Sequence, residues 1–143
     1  MANAVPNSWK YSLWYPFTGD TFKMILMQPG FVFDKDTHYT YALVSASEVA
    51  NGNGYTTGGA ALTGIALAID TTEDRAELTF NNATWTASGG SIVASGAIIY
   101  NDTSAAGGIY AYTKAVVSYK DASGTITAVD GTQIVISSIM ETV

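Results

Sequence analysis

The sequence predicts an all-β fold, a β-sandwich or jelly roll of about eight strands with at most one short helix. Three observations carry that expectation. Apolar residues recur with period two in short runs, as they do where one face of a strand meets a core. Those runs are bounded by Gly, Asn and Asp, the residues that supply tight-turn geometry. Only the stretch from Tyr39 to Val49 leaves room for a helix, and there Tyr41, Val44 and Val49 do not keep a clean 3.6-residue period, so one or two turns are expected.

Taken in order, Trp9 to Leu13 reads as a first strand, with Trp9, Tyr11 and Leu13 on one face. Thr21 to Met27 places Phe22, Met24 and Leu26 on one side and Lys23, Ile25 and Met27 on the other, the pattern of a strand covered on both faces, central in a sheet or lying in an interface. Leu62 to Ile69 reads as a strand with Ile65, Leu67 and Ile69 facing one way past small Ala66 and Ala68. Ala76 to Phe80 follows with Leu78 and Phe80 inward, and Ser91 to Tyr100 reads as a core strand. Ala111 to Tyr119, Thr125 to Val129 and Gln133 to Ile139 complete the set. Between them, Asn51-Gly52 and Asn53-Gly54 offer the positive φ of tight turns, and Ser88-Gly89-Gly90, Ala106-Gly107-Gly108 and Ala122-Ser123-Gly124 punctuate the rest.

A chain of 143 residues is read as a single domain over 1–143, large enough to bury its core without metals or disulfides, with 1–19 as an aromatic-rich N-terminal segment. No linker, charge run or repeat of fixed period divides it. The absence of cysteine removes disulfide and thiolate chemistry. Six basic residues stand against 12 acidic ones, for a net charge of -6. Because the basic residues are scattered from Lys10 to Lys120 without a patch, neither nucleic acid nor an anionic membrane is expected as a partner. Charged residues make up only 13% of the chain, about half the usual share for a soluble domain. With a mean hydropathy of +0.17, its surface must be rich in Thr, Ser, Gly and Ala, and part of it is expected to be buried against something else. A Thr-rich and Ala-rich sandwich would have the same composition for no other reason. The opening Met1 to Pro6 lacks the basic start and apolar run of a secretory signal, and no apolar run reaches the length of a membrane helix, so synthesis in the cytoplasm and solubility until assembly are expected.

Chemistry-bearing groups are sparse. His38 is the single histidine, and although Ser45 and Ser47 are near it in sequence, no serine lies in a nucleophile-elbow pattern, so the chain is not expected to be an enzyme. His38 reads as a turn residue or a contact to a neighbouring subunit. Asp34, Asp36 and His38 alternate and would share a face of an extended segment, but two carboxylates and one imidazole make a thin shell. A solvated loop whose Asp side chains cap backbone amides is preferred, with no metal and no cofactor expected. Asp70-Thr71-Thr72-Glu73-Asp74 lacks the spacing of a calcium loop and reads as a hairpin turn. The string Gly52 to Gly59 lacks the flanking strand and helix of a phosphate loop, which leaves a structural turn. Trp9, Tyr11, Trp14, Tyr15 and Phe17 are the candidate interface residues, since such rings bury large area at low entropic cost. Two other readings of them stay open: rings tucked into the domain's own core, and stacking on carbohydrate.

Several of these blocks together resemble a known group. Ser8-Trp9-Lys10, Asp20-Thr21-Phe22-Lys23, Glu48-Val49 with Gly52 to Gly59, then Leu62, Trp85 and Ala97-Ile98-Ile99-Tyr100 are similar to a pattern of small virion proteins of tailed bacteriophages. The resemblance ends at Asn101, and it departs from the pattern at Met27-Gln28-Pro29-Gly30, where small polar residues are usual, and at Trp9, where phenylalanine is commoner. It implies a non-enzymatic structural protein on the phage particle surface, a capsid cement or decoration protein that bridges major capsid subunits. It further implies a homo-oligomer, by analogy with cement proteins a trimer at a threefold position. In that setting Gly52, Gly54, Tyr55, Gly58 and Gly59 form a structural turn with the Tyr55 ring across the glycines. A tail- or fibre-associated virion protein touching host-surface glycans is the rival within the resemblance, and a small lectin-like module outside any virion is a third class. The segment Ser137 to Val143 reads equally as a last strand or as a tail that crosses to a neighbour.

Overall fold

Two strands far apart in sequence make the centre of the fold. β1 (Phe22–Met27) runs antiparallel to β6 (Ile92–Asn101), in register from Phe22 opposite Asn101 to Met27 opposite Gly96. The computed structural model describes residues 19–103, 114–137 and 139–141. Among these residues the other strands are β2 (Ala60–Ala61), β3 (Ala66–Asp70), β4 (Arg75–Thr79), β5 (Ala83–Thr86), β7 (Val116–Ala128), β8 (Gln133–Ile136) and β9 (Ile139–Glu141). All pairs are antiparallel, in a four-stranded sheet of order β2-β1-β6-β7, a three-stranded sheet β3-β4-β9 and a ribbon β5-β8. The helical content is small: α1 (Tyr41–Val44) continues into one 3-10 turn, Ser45–Ser47. Over the described residues the chain is therefore all-β with one short helix. The expected strand Trp9 to Leu13, the turn Ala106-Gly107-Gly108 and the start of the expected Ala111 to Tyr119 strand lie outside the described residues.

Period two in β1 translates directly into two cores. Phe22, Met24 and Leu26 enter a cluster with Leu62, Phe80, Trp85, Ile99 and Ile134, while Ile25 and Met27 enter a second cluster with Val44, Ile98 and Tyr100. None of the five apolar β1 side chains is more than 1% exposed, and each such burial is worth about 1.5–3 kcal/mol. The β5-β8 ribbon covers one face of the sheet, with β5 beside β2 and β8 beside β7. Val44 of α1, with Phe31 and Phe33 of the loop before it, covers the other. That double cover explains why β1 tolerates apolar residues at successive positions.

Four expected strands are corrected. Leu62 to Ile69 is not one strand: β2 ends at Ala61, Leu62 is buried with its N–H donating to the Phe22 carbonyl at 2.8 Å, and the chain then bends through Gly64 at φ +65° before β3 begins. Ala66 and Ala68 are exposed, and Ile69, at the far end of β3, is 42% exposed. Nor are Ala111 to Tyr119 and Thr125 to Val129 separate, because β7 runs unbroken from Val116 to Ala128. The Ala122-Ser123-Gly124 block supplies a bulge rather than a turn. Register jumps between Gly96 opposite Asp121 and Ala94 opposite Ile126, with Ser123 at φ 54° and Gly124 at φ 134°. Turn formers serve a bulge for the same reason that they serve a turn, since both need positive φ. Finally, Gln133 to Ile139 divides into β8 and β9.

Candidate functional site

The described residues that carry the resemblance run from Asp20 to Tyr100 in sequence and are tied together in the fold. Asp20 accepts a hydrogen bond from the Asn101 side-chain amide at 2.7 Å, which satisfies an Asn only 2% exposed. Thr21 donates its N–H to the Thr103 hydroxyl at 2.7 Å and accepts from the Asp102 N–H at 2.7 Å. Phe22 meets Phe80 edge to face at 6.2 Å. Lys23 pairs with Asp102 at 2.9 Å, and Lys114 reaches the other oxygen of the same carboxylate at 3.1 Å. Burial pushes the Asp102 carboxyl up, but the hydrogen bonds and charges of Lys23 and Lys114 outweigh it and hold the group below its ordinary value. Thus each residue of Asp20-Thr21-Phe22-Lys23 fastens the start of β1 to the end of β6 or to the core.

Glu48 lies at the centre of the second block. It is 5% exposed, and its carboxylate accepts from the Tyr41 hydroxyl at 2.7 Å, the Tyr55 hydroxyl at 2.7 Å and the Gly58 N–H at 2.7 Å. Its backbone carbonyl takes the Gln28 amide at 2.7 Å. The Tyr55 hydroxyl in turn accepts the Leu26 N–H at 3.2 Å, linking the site to β1. Tyr100 stacks on Tyr41 at 4.6 Å and donates its hydroxyl to the Gly58 carbonyl at 2.9 Å. Burial first, and the neighbouring Glu48 second, push the Tyr41 phenol up to about 12. The Tyr55 and Tyr100 phenols are raised further, again chiefly by burial. A buried carboxylate with three donors and a ring of neutral phenols is built to hold chain segments in place.

Gly52, Gly54, Gly58 and Gly59 all take positive φ, with Asn53 between them at φ 53°. A Cβ on Gly54 would collide with the Thr86 carbonyl and one on Gly59 with the Met24 carbonyl, so the turn is clamped between β5 and β1. The Tyr55 ring is 2% exposed and tilted against Trp85 at 6.3 Å, with its hydroxyl on Glu48, and the Tyr100 hydroxyl reaches the turn at the Gly58 carbonyl.

Asp34 accepts the Asp36 N–H at 2.9 Å, and His38 Nδ1 accepts the Asp34 N–H at 3.0 Å, so this loop spends its polar groups on its own backbone. Among the described residues no three His, Asp or Glu side chains converge as a metal site would need. The His38 ring stacks on Phe31 at 5.3 Å, and Phe33 stacks on Tyr119 at 4.9 Å. Phe33, Lys35, His38, Tyr39, Val117 and Tyr119 line an open cleft of about 370 Å³. Near it Val32 and Tyr39 are 79% and 43% exposed. Asp70 caps its hairpin by accepting from the N–H of Thr72 and of Glu73 at 2.9 and 3.2 Å. Trp9, Tyr11, Trp14, Tyr15 and Phe17 lie outside the described residues.

Sequence reading gave Glu48 only as a letter of the resemblance and did not single out Tyr41 or Tyr100. One usable signal existed: a carboxylate between Val44 and Val49 in a chain this poor in charge has to be buried with donors or to bind something. Comparison of the chain with family models, with curated proteins and with solved structures found no match.

Proposed function

We propose that this chain is a non-enzymatic structural protein of a tailed-phage particle, most specifically a capsid decoration protein that binds across adjacent major capsid subunits. The observation that carries the reading is the convergence just described. Of the blocks on which the resemblance rests, Ser8-Trp9-Lys10 lies outside the described residues, while Asp20 to Lys23, Glu48 to Gly59, Trp85 and Ala97 to Tyr100 interlock through Asp102, Glu48 and Tyr100. They therefore specify one physical unit rather than four coincidences. Low charge, at 13% of residues, and the exposed Val32, Leu43 and Val117 favour a protein that spends its working life against a large surface. Mechanistically, many modest contacts to a repeated lattice give strong retention through effective concentration. The half-exposed aromatic cleft around Phe33, Tyr39 and Tyr119 favours a second reading, a tail-associated protein whose rings stack on host-surface glycans.

Cryo-electron microscopy of the assembled particle with this chain located in the density separates the two. Regular occupancy over the capsid lattice is the expected result. Density confined to the tail or baseplate sinks the capsid assignment and supports the second reading, and a particle without the chain removes both.

A further inference from the structure

Among the described residues, β3 is an open strand edge with nothing to guard it. Within the three-stranded sheet it lies outermost, β4 is the one described element that packs alongside it in more than passing contact, and its outer edge faces away from β4. Soluble β-proteins blunt such edges with charge, proline, bulges or very short strands. The other described edges of this molecule follow that rule. β2 is two residues long, β9 is three, β7 carries the Ser123-Gly124 bulge, and β5 and β8 lie beside β2 and β7. β3, with the sequence Ala66-Leu67-Ala68-Ile69-Asp70, has no proline, no bulge and no charge before its last residue.

We propose that two copies of this chain pair through β3, antiparallel about a twofold axis at Ala68. The proposal is independent of the virion reading. Ladder geometry fixes the register. The four-residue turn Thr71 to Asp74 closes on Asp70 opposite Arg75, so backbone groups of Asp70, Ala68 and Ala66 point to β4 and those of Leu67 and Ile69 point outward. Centred on Ala68, the self-pair sets Leu67 opposite Ile69 of the second copy, twice. These are the two residues whose N–H and C=O groups face outward, so the pair forms four hydrogen bonds with none misdirected. Ile69, now 42% exposed, gains a Leu67 neighbour that already packs against the main core. Charge permits the same register. Asp70 falls opposite Ala66 at either end and is held by its own Arg75 at 3.4 Å, so no like charges oppose each other. The product is one six-stranded sheet across two copies, and the contact is smaller than a standard interface of about 1,600 Å², so the pair is weak and concentration-dependent.

Sedimentation equilibrium of the full chain over rising concentration is the test. A monomer–dimer equilibrium is expected, weakened at least about tenfold by Ile69→Pro, which removes an outward N–H without touching the β4 ladder, and by Ala68→Lys, which opposes two ammonium groups at the axis. Circular dichroism melts of both variants should match the parent. Because the chain has no cysteine, Ala68→Cys gives a second readout independent of folding losses. The two introduced thiols would face each other across the axis as a non-hydrogen-bonded pair, at Cα separation of about 4.5 Å, within disulfide reach. Mild oxidation should trap a covalent dimer that Thr72→Cys does not form. A chain that stays monomeric up to about 1 mM, a dimer or trimer indifferent to both edge substitutions, or equal trapping at positions 68 and 72 overturns the proposal.

Discussion

Glu48 is the residue on which most depends. Truncation to Ala would leave the Tyr41 and Tyr55 hydroxyls and the Gly58 N–H facing a void, and orphaned buried donors cost about 1–3 kcal/mol each. Glu48→Ala should therefore lower stability by about 3 kcal/mol or more, while Tyr41→Phe, which removes one partner from a half-exposed position, should cost about 1 kcal/mol. Urea unfolding of the three proteins decides this, and equal midpoints for parent and Glu48→Ala would remove the carboxylate from its assigned role. The same cluster sets an alkaline limit. Because Tyr41 titrates at about 12 in the fold against 10.0 for a free phenol, its contribution to stability is complete below pH 10 and is lost as pH climbs through about 12. Absorbance titration of tyrosinate should thus show a late class that ionises together with unfolding, and Tyr41→Phe should shrink that class.

At the level of elements, the glycines of the Gly52 to Gly59 turn are unequal to glycines elsewhere. Gly59 combines φ +76° with a backbone carbonyl where a Cβ would go, whereas Gly89, at φ +79°, has open space around it. Gly89→Ala should cost about 1 kcal/mol, the strain of the left-handed region alone, and Gly59→Ala clearly more, because the Met24 carbonyl of β1 has to move. Thermal melts of the pair check the ordering. How far these elements could be read in advance depended on whether one residue type has one use. β1 and β6 were legible because alternation of Phe22, Met24 and Leu26 with Ile25 and Met27 has a single geometric reading. β7 was not, since Ala122-Ser123-Gly124 spells a turn and the fold uses it inside a strand. The break after Leu62 was hidden too, because Gly64 is one small residue, and the Asn81 side chain that occupies the place of its missing Cβ comes from another segment. The turn at Gly52 to Gly59 was visible in its glycines, but its carboxylate clamp was not, because Tyr41, Glu48, Tyr55 and Tyr100 converge only once the sheet has formed.

Across the whole molecule, charge is the main restraint on association. At neutral pH the net charge of -6 opposes association, and it vanishes near pH 4.4. Light scattering should accordingly report growing assemblies as pH falls from 7 toward 4.4, reversed on return to neutrality; scattering that stays flat would mean that net charge is not what restrains association. The pairing of β1 with β6 also has a consequence for how the chain is made. Asp20 and Asn101, joined at the end of that pair, are 81 residues apart in sequence, so during synthesis the most apolar strand leaves the ribosome long before its partner exists. Of its described partners only those up to Leu62, such as β2 and Val44, can reach it in the interval, and contacts as distant as that to β6 are slow to close. The nascent chain therefore waits with one edge of Phe22 to Met27 unpaired until Asn101 emerges, and its yield in the cell should depend on chaperones holding that one segment.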